Sequence, residues 1–356
     1  MGSPIGPDEL NFVNPLRLQQ IAASAEQSNR IGETIEALMR SRDGRVTLDS
    51  PIVHALGNHF RTPAIELRGS RNLGRIVFED TNTLLAAKQR APAYDCLVCI
   101  SEWNAAALRQ ACATPVVVIH EGIDPAIFFP GPRSGFADPH RFHIFSGGKI
   151  EYRKAQDIVL LAFREFSARH PEAVLVTSWH NPSPELSRGF KGRLESPVGI
   201  GPDGRLQIRK WAHDNGVDPD RIVDIGLIPN QLMPTILRDM DCAIFPNRCE
   251  GGTNLVCMEA MACGVPVILA NNTGVKDIIT DGNCIALRRQ SPLAGEDGCR
   301  TDGWGESDVE ELVDALERLH TSPALRQKIG AQGAIYMSKR TWQAHSDALK
   351  NVALGR

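Results

Sequence analysis

Short apolar runs alternate with segments of helical periodicity along most of the chain, a pattern typical of parallel βα units. In the first part, the pattern predicts strands at 10–13, 51–56, 75–79, 95–100 and 115–120 and helices at 16–39, 81–89 and 102–112. In the second part, it predicts strands at 142–146, 173–177, 221–225, 242–246, 265–269 and 283–287 and helices at 156–170, 206–215, 232–239, 255–263, 308–320, 323–337 and 342–352. The chain is therefore predicted to be an α/β protein with two parallel sheets.

A segment rich in proline and glycine, FPGPRSGFADPH at 129–140, separates the two series. Such a composition marks a linker, and 356 residues are enough for two domains with substantial cores. We place the first domain at 1–133 and the second at 134–333. Two irregular stretches, 179–205 and 295–305, are long enough to be functional or mobile loops.

The segment NRCEGGTNLVCMEAMACGVPVILA, at 247–270, carries the densest candidate chemistry. A predicted strand ends at a loop with Glu250 and two glycines, and Thr253 or Asn254 can cap the helix that follows. Ligands of parallel sheets bind at the carboxyl ends of the strands. Free N–H groups at the helix start suit an anion, while Glu250 and Glu259 suit hydroxyl donors. A phosphate together with hydroxyl groups indicates a nucleotide sugar.

This segment resembles the E-x7-E signature of family 4 retaining glycosyltransferases, which have the GT-B fold. The matching positions are Glu250, Leu255, Glu259, Ala260, Met261, Ala262, Gly264, Pro266 and Val267. The two glutamates are one residue further apart here than is usual, and Gly251-Gly252-Thr253 can absorb that residue because glycine tolerates unusual dihedrals. The resemblance implies that Glu259 holds the ribose of the donor. It also implies that Glu250 holds the sugar together with the backbone of Gly251, Gly252, Thr253 and Asn254. Leu255, the next residue, is expected to line the donor site.

Gly147-Gly148-Lys149 follows the first strand of the second series, and Arg153 and Lys154 come shortly after. The same family reads GRLxxxKG in this region, and its Arg and Lys hold the donor diphosphate. The resemblance implies that Lys149 and Lys154 stabilise the departing diphosphate, and that the backbone of Gly147 and Gly148 lies beside it. Lys149 lacks the bidentate fork of arginine, which Arg153 can supply. Fixed cations can stabilise the developing charge without a metal.

Gly226, Leu227 and Ile228 follow another predicted strand and resemble the turn whose backbone reads the base of the donor. The last predicted helix, within 334–356, resembles the terminal helix that GT-B proteins return to the first domain. In the first domain, SEWNAAALR at 101–109 and HEGID at 120–124 resemble family segments, with Ser101 as a helix cap. This domain is nevertheless short, and it lacks the usual Gly-Gly loop.

The first domain offers fewer residues that could contact the donor or the acceptor. His54, in IVHALGNHF, is expected to face the donor hexose across the cleft, with His59 as the alternative. Glu79 and Asp80 are the carboxylates that best suit an acceptor hydroxyl. Two pairs that imitate metal sites, Asp239 with Asp241 and Cys96 with Cys99, are interpreted as structural, and we expect no bound metal.

Composition restricts the class of protein. The net charge of −3 and pI near 6.4 give no sign of a nucleic-acid partner. We find no apolar run of membrane-spanning length and no signal peptide. Nine scattered cysteines indicate reduced thiols in a cytoplasmic protein.

These observations and the resemblance together predict a two-domain GT-B protein that transfers a sugar with retention from a nucleotide-diphosphate sugar, preferably linked to UDP. The donor acts as a co-substrate and no separate cofactor is expected. The acceptor and the oligomeric state are not assigned. A nucleotide-sugar epimerase or hydrolase of the same fold remains an alternative, as does a non-catalytic subunit that binds a nucleotide sugar.

Overall fold

Four parallel strands form the first sheet in the order β2-β4-β5-β6, with β2 at Ile52–Ala55, β4 at Asn72–Ile76, β5 at Cys96–Cys99 and β6 at Val116–Val118. A separate parallel pair joins β1, Arg45–Thr47, to β3, Glu66–Arg68. Between residues 66 and 140, the structure has the helices α1, Thr83–Arg90, and α2, Glu102–Ala111. The computed structural model describes residues 45–60, 66–295 and 299–356 and scattered positions from 29 to 40. The predicted strand 10–13 and most of the predicted helix 16–39 lie outside these residues.

The local sequence explains this first half. All four residues of β5 are buried, as expected for a central strand covered on both faces, and Cys96 and Cys99 are free thiols within it. Helix α2 begins where Ser101 accepts a hydrogen bond from the backbone of Asn104, so the predicted cap is confirmed. Strand β4 starts three residues earlier than predicted. A side chain at Gly74 would collide with Leu56, Leu97 and Tyr94, so only glycine fits there. Because glycine interrupts the apolar run, the start of β4 could not be recognised from hydrophobicity.

Six parallel strands form the second sheet, in the order β12-β11-β10-β7-β8-β9. The strands are β7 at Phe142–Gly147, β8 at Ala173–Ser178, β9 at Ile222–Asp224, β10 at Cys242–Phe245, β11 at Val267–Ala270 and β12 at Ile285–Leu287. The helices are α3 at Gln156–Arg169, α4 at Ile208–Asp214, α5 at Met233–Leu237, α6 at Leu255–Ala262, α7 at Val309–Thr321, α8 at Pro323–Met337 and α9 at Trp342–Ala353. The prediction of two parallel sheets is confirmed.

Helices cover both faces of the second sheet. Helices α3, α4 and α7 pack on one face, and α5 and α6 on the other. The central strands β7, β8, β10 and β11 are therefore buried on both sides, whereas Val223 of the edge strand β9 is exposed. A short antiparallel pair, β13 at Gln290–Pro292 with β14 at Gly305–Ser307, follows β12 and was not predicted, because its residues are mostly polar. None of the described helices is long and apolar enough to cross a membrane.

The terminal helix α9 lies against the first sheet. Its Ala348, Leu349 and Val352 pack on the cluster formed by Leu73, Val98 and Ile119. The chain just before α9 forms an isolated parallel bridge, in which Thr341 pairs with Ile123. The last helix therefore crosses from the second half of the chain to the first.

The acidic pair Asp239 and Asp241 binds the linker between the two sheets. The carboxylate of Asp239 accepts hydrogen bonds from the backbone of Ser134 and Ala137, and that of Asp241 accepts one from Arg133 at 2.7 Å. Both residues precede β10, at the amino edge of the sheet. They therefore lie at the opposite end of β10 from Glu250, where they hold the linker in place.

Candidate functional site

The strand order places a topological switch point between β7 and β10. From β7 the chain continues to β8 and β9 on one side of the sheet, and from β10 it continues to β11 and β12 on the other side. Ligands of open parallel sheets bind in the crevice outside the carboxyl ends at such a point. The segments that leave β7 and β10 meet there. The backbone N–H groups of Arg248 and Cys249 donate to the carbonyl of Arg153, at 2.8 and 3.2 Å. The two segments singled out from the sequence therefore form one site.

Glu250 is the centre of this contact. Its carboxylate accepts hydrogen bonds from Arg153 Nη1 at 2.8 Å, from Lys154 Nζ at 2.5 Å and from the amide of Asn247. The side chain of Glu250 is 6% exposed, and those of Arg153 and Lys154 are 21% and 14% exposed. The structure thus brings the predicted sugar-binding carboxylate directly onto two of the predicted diphosphate-binding cations. Lys149, in contrast, is exposed.

Electrostatics keep Glu250 ionised. Burial by itself would raise its pKa, but the charges and hydrogen bonds of Lys154 and Arg153 outweigh burial and hold the pKa below its usual value. The backbone N–H of Glu250 also donates to the Thr273 hydroxyl at 2.9 Å. The carboxylate is therefore fixed both in position and in charge.

Helix α6 begins beside this ion cluster. Asn254 is its cap, because the Asn254 side chain accepts a hydrogen bond from the Cys257 backbone and its own backbone is left-handed, with φ of 62°. Asparagine tolerates that conformation better than most residues. Thr253, the other predicted cap, instead donates its hydroxyl to the sulfur of Met258. The first N–H groups of an α-helix have no partner within the helix, so the start of α6 is a place where an anion can bind.

The glycines after β7 let this loop pass close to α6. A side chain on Gly147 would come within 2.8 Å of Val256, in the first turn of the helix. Gly148 has φ of 119°, which only glycine adopts without strain. Both predicted glycines are therefore required by the backbone path, and they lie next to the start of α6.

Glu259 lies one turn further along α6 in a confined environment. Its Oε1 accepts a hydrogen bond from the amide of Asn230 at 3.0 Å. Burial raises the pKa of Glu259 to about 7, and the Asn230 hydrogen bond only partly opposes this. Asn230 comes just after the predicted base-reading turn, so this hydrogen bond holds the turn beside Glu259.

That turn is formed by Gly226, Leu227 and Ile228. Gly226 has φ of 67°, and its carbonyl accepts a hydrogen bond from the Ser178 hydroxyl at 3.1 Å. Leu227 is 63% exposed, although it is a large apolar residue. A cavity of about 490 Å³ opens beside the turn, lined among others by His180 and Asp224. The turn thus offers apolar surface at the carboxyl edge of the sheet.

The first domain closes over the loop that carries Glu250. The Ser101 hydroxyl donates to the carbonyl of Gly251 at 2.6 Å, and a side chain on Gly251 would come within 2.6 Å of the Phe78 carbonyl. Glu79 lies 3.8 Å from Arg153. These first-domain residues follow β4 and β5, so the carboxyl edges of the two sheets face each other here.

His54 is not part of this arrangement. It is buried within β2, where its ring binds the side chain of Asn72 at 3.2 Å and packs edge-on against Tyr94. Asn72 and Tyr94 lie at the amino ends of their strands, so the ring points away from the edge that faces the second domain. The alternative, His59, is exposed and lies near Asp80, which caps the turn before α1.

Sequence reasoning missed two residues at the site. Arg248 is fully buried and makes a bidentate ion pair with Asp157, at 2.8 and 2.6 Å, and a further ion pair with Glu306 at 2.7 Å. Glu121 lies in the segment HEGID at 120–124, whose resemblance to a family segment assigned no role to this carboxylate. Its carboxylate is 3.5 Å from where a side chain on Gly252 would begin, and burial raises its pKa despite the nearby Arg75.

Comparisons with known proteins identify the family of the chain. The model of the family described as Glycosyl transferases group 1 matches residues 141–322, just over half of the chain. The D-inositol 3-phosphate glycosyltransferase of Stackebrandtia nassauensis is 26% identical over 68% of this chain and 49% of its own. A GDP-mannose-dependent monoacylated alpha-(1-6)-phosphatidylinositol monomannoside mannosyltransferase of Corynebacterium glutamicum is 24% identical over 72% of this chain and 61% of its own. The chain spans about half the length of the first curated relatives that it matches.

Solved structures show the fold. Sucrose-phosphate synthase from Thermosynechococcus elongatus superposes with a TM-score of 0.62 and 17% identity, covering 81% of this chain and 68% of its own. HepE of Anabaena, solved in complex with UDP, superposes with a TM-score of 0.60 and 15% identity, covering 80% and 72%. The two-sheet architecture is thus the GT-B fold that the sequence predicted. The chain belongs to the glycosyl transferases group 1 family.

Proposed function

We propose that the protein transfers a sugar with retention of configuration from a nucleotide-diphosphate donor, preferably a UDP-sugar, to an acceptor hydroxyl. The observation that carries the proposal is the convergence of Arg153, Lys154 and Glu250 at the switch point beside the start of α6. Two fixed cations, a carboxylate and free helix N–H groups suit a diphosphate that is joined to a hydroxyl-rich ring.

The cations are proposed to stabilise the leaving group. When the bond between the anomeric carbon and the diphosphate breaks, negative charge develops on the diphosphate oxygens. Arg153 and Lys154 are mostly shielded from water, so salt screens their charges only weakly. Exposed Lys149 would complete the set when the donor binds. Since these cations can carry the charge, we expect no metal in the transfer step.

The nucleoside is proposed to lie between Glu259 and the turn at 226–228. The Glu259 carboxylate would accept hydrogen bonds from the ribose, and the backbone of the turn would face the base. The preference for UDP draws support from HepE, whose structure contains UDP, while the relative from Corynebacterium glutamicum is named for GDP-mannose. Both donors therefore belong in the first experiment.

The acceptor is proposed to approach from the first domain. Glu79 and Glu121 lie near Arg153 and Gly252, and the raised pKa of Glu121 favours a role as proton acceptor. Retention would follow if the acceptor attacks the same face of the sugar that the diphosphate leaves, with its proton passing to the departing phosphate oxygen or to one of these carboxylates.

A donor screen followed by a transfer assay tests the proposal. UDP-, GDP- and ADP-sugars are compared by thermal shift, where a ligand at 100 times its Kd stabilises by about 2.7 kcal/mol. Transfer is then measured in excess EDTA, and NMR reports the anomeric configuration of the product. Lys154→Ala should lower turnover, whereas Lys88→Ala, an exposed change on α1, should not.

Each outcome decides a specific point. An inverted product would contradict retention, and activity restored only by Mg²⁺ or Mn²⁺ would contradict a metal-free step. Consumption of donor without acceptor would indicate a hydrolase, and binding without turnover would indicate a non-catalytic binding subunit. If no nucleotide sugar stabilises the protein, the assignment of the donor site is wrong.

A further inference from the structure

Two histidines and a carboxylate converge at the amino edge of the second sheet, remote from the donor site. His170 follows the end of α3, Glu172 precedes β8, and His320 lies in the last turn of α7. The rings of His170 and His320 are in contact, with centroids 4.1 Å apart and planes tilted by 46°. Six-residue strand β7 runs from this edge to Gly147, which separates the cluster from the switch point by roughly 17–20 Å.

The spacing of the donor atoms suits a metal ion. His170 Nδ1 is 3.7 Å and His320 Nε2 is 2.7 Å from Glu172 Oε1, and one atom from each of the three side chains lies within 4.8 Å of the others. Ligand atoms at about 2.0–2.2 Å from a tetrahedral zinc ion are about 3.3 Å apart. The His320 distance is about 0.6 Å shorter, and the His170 distance about 0.4 Å longer, than this spacing.

A second carboxylate fixes which nitrogen of His170 is available. His170 Nε2 bonds to Glu317 at 2.8 Å, and Glu317 is itself paired with Arg169 at 3.0 Å. This leaves Nδ1 facing Glu172. A carboxylate that holds the remote nitrogen of a histidine is the usual support of a zinc ligand, because it fixes the ring and the tautomer.

The second ring is held by apolar packing. Phe142 and Phe166 lie edge-on to His320, with centroids at 4.9 and 5.7 Å. These contacts fix the plane of the imidazole at the position where its Nε2 meets Glu172. Both imidazoles are therefore oriented before any metal binds, which lowers the entropic cost of forming a site.

We propose that His170, Glu172 and His320 form a binding site for Zn²⁺ or a similar divalent transition metal, with water as the fourth ligand and Glu317 as the supporting carboxylate. Two imidazoles and one carboxylate are a ligand set that zinc accepts. The bound ion would tie the turn between α3 and β8 to the end of α7. Its role would be structural, and sugar transfer in EDTA would not require it.

Titration of tag-free, EDTA-treated full-length protein with Zn²⁺, followed by calorimetry and thermal shift, tests the proposal. We expect one equivalent to bind with a rise in Tm. His170→Ala and His320→Ala should each lower the affinity at least tenfold, and Glu317→Gln by about tenfold. His213→Ala, which removes an exposed histidine on α4, is the matched control and should bind as the parent does.

Co²⁺ absorption identifies the ligands without relying on activity. The proposal expects ligand-field bands without a sulfur-to-cobalt charge-transfer band. A charge-transfer band would place the metal on some of the nine cysteines and overturn the proposal. Unchanged affinity in both histidine variants would also overturn it, as would absence of binding at micromolar Zn²⁺, which would leave the cluster as ion pairs only. Circular dichroism of each variant shows whether it has folded.

Discussion

The Glu250 carboxylate lies 2.5 Å from the ammonium nitrogen of Lys154, and both side chains are largely shielded from water. The Lys154 charge is thus already satisfied before a donor arrives. In the proposed donor site, a diphosphate would therefore have to share or displace Glu250 to reach the cation. Breaking this pair is a cost of donor binding at the proposed site, and a substitution at Glu250 can reveal it.

Glu250→Gln tests this competition. The amide keeps the shape of the side chain but no longer holds Lys154 and Arg153 by charge. We expect free nucleoside diphosphate to bind at least as tightly as in the parent, because the cations are released, while sugar transfer falls. Calorimetry and initial rates measure the two effects. A variant with weakened nucleotide binding and normal transfer would reverse the proposed roles of Glu250.

Glu259→Gln tests the nucleoside site. An ionised carboxylate accepts stronger hydrogen bonds from ribose hydroxyls than an amide does, so the change should weaken nucleotide binding by about 1–3 kcal/mol. The pKa of Glu259 is raised to about 7, so the affinity of the parent should rise with pH through neutrality and then level off. Calorimetry between pH 6 and pH 8.5, chosen to bracket about 7, checks both points. Equal affinity in parent and variant would show that the register assigned to α6 is wrong.

The same residue should make stability depend on pH. The folded pKa of Glu259, about 7, lies above its ordinary value of 4.5, so the folded protein binds a proton that the unfolded chain has already lost. The stabilisation is complete below the unfolded pKa and is lost as pH rises through about 7. Relative to Glu259→Gln, the parent should therefore lose about 2 kcal/mol of unfolding free energy between pH 5.5 and pH 8. Urea denaturation at both pH values measures this difference, and a gap independent of pH would contradict the raised pKa.

Much of the fold could be predicted because its strands are continuous apolar runs. Strands β7, β8 and β10 begin at their predicted residues. The pattern failed where burial did not require large apolar residues, as at Gly74, and where pairing depends on backbone hydrogen bonds alone, as in β13 and β14.

At the site, the two loop segments could be found because each is a local pattern beside a helix start. The contact of Glu250 with Arg153 and Lys154 could not be found, because about a hundred residues separate the partners in sequence. Arg248 was missed because arginine is rarely fully buried. Its burial depends on two acidic partners contributed by α3 and β14, and no local pattern reports such an arrangement.

Arg248 and Asp157 should be energetically coupled, because both side chains are fully buried. Arg248→Met leaves an uncompensated buried carboxylate and should cost about 3–5 kcal/mol of unfolding free energy. The double variant Arg248→Met with Asp157→Leu should recover most of that loss. Urea denaturation of the parent, both single variants and the double variant gives the coupling energy. If the losses of unfolding free energy in the two single variants simply added in the double variant, the two residues would not be coupled. The loss would then come from removed packing contacts.

Gly251 and Gly252 provide a matched test of the contact between the first domain and the Glu250 loop. A methyl group on Gly251 would come within 2.6 Å of the Phe78 carbonyl, which is backbone. One on Gly252 would meet the end of the Ile100 side chain at 2.7 Å and the Glu121 carboxylate at 3.5 Å, which are both side-chain atoms. The Phe78 backbone cannot move aside, so the loop that carries Gly251 would have to shift. The end of the Ile100 side chain can rotate instead. Gly251→Ala should therefore displace the loop from Ser101, whose hydroxyl binds the Gly251 carbonyl.

We expect Gly251→Ala to lower the free energy of unfolding by about 1–3 kcal/mol, as overpacking in a close contact typically does, and to reduce transfer because Glu250 moves with the loop. Gly252→Ala should lower both the free energy of unfolding and the rate of transfer by less. Denaturation curves and initial rates provide the comparison. The two variants differ from each other only in the position of one methyl group. If Gly252→Ala proved the more damaging of the two, the first domain would have to meet this loop through Ile100 instead of Phe78, and the closure of the two sheet edges over Glu250 would need to be revised.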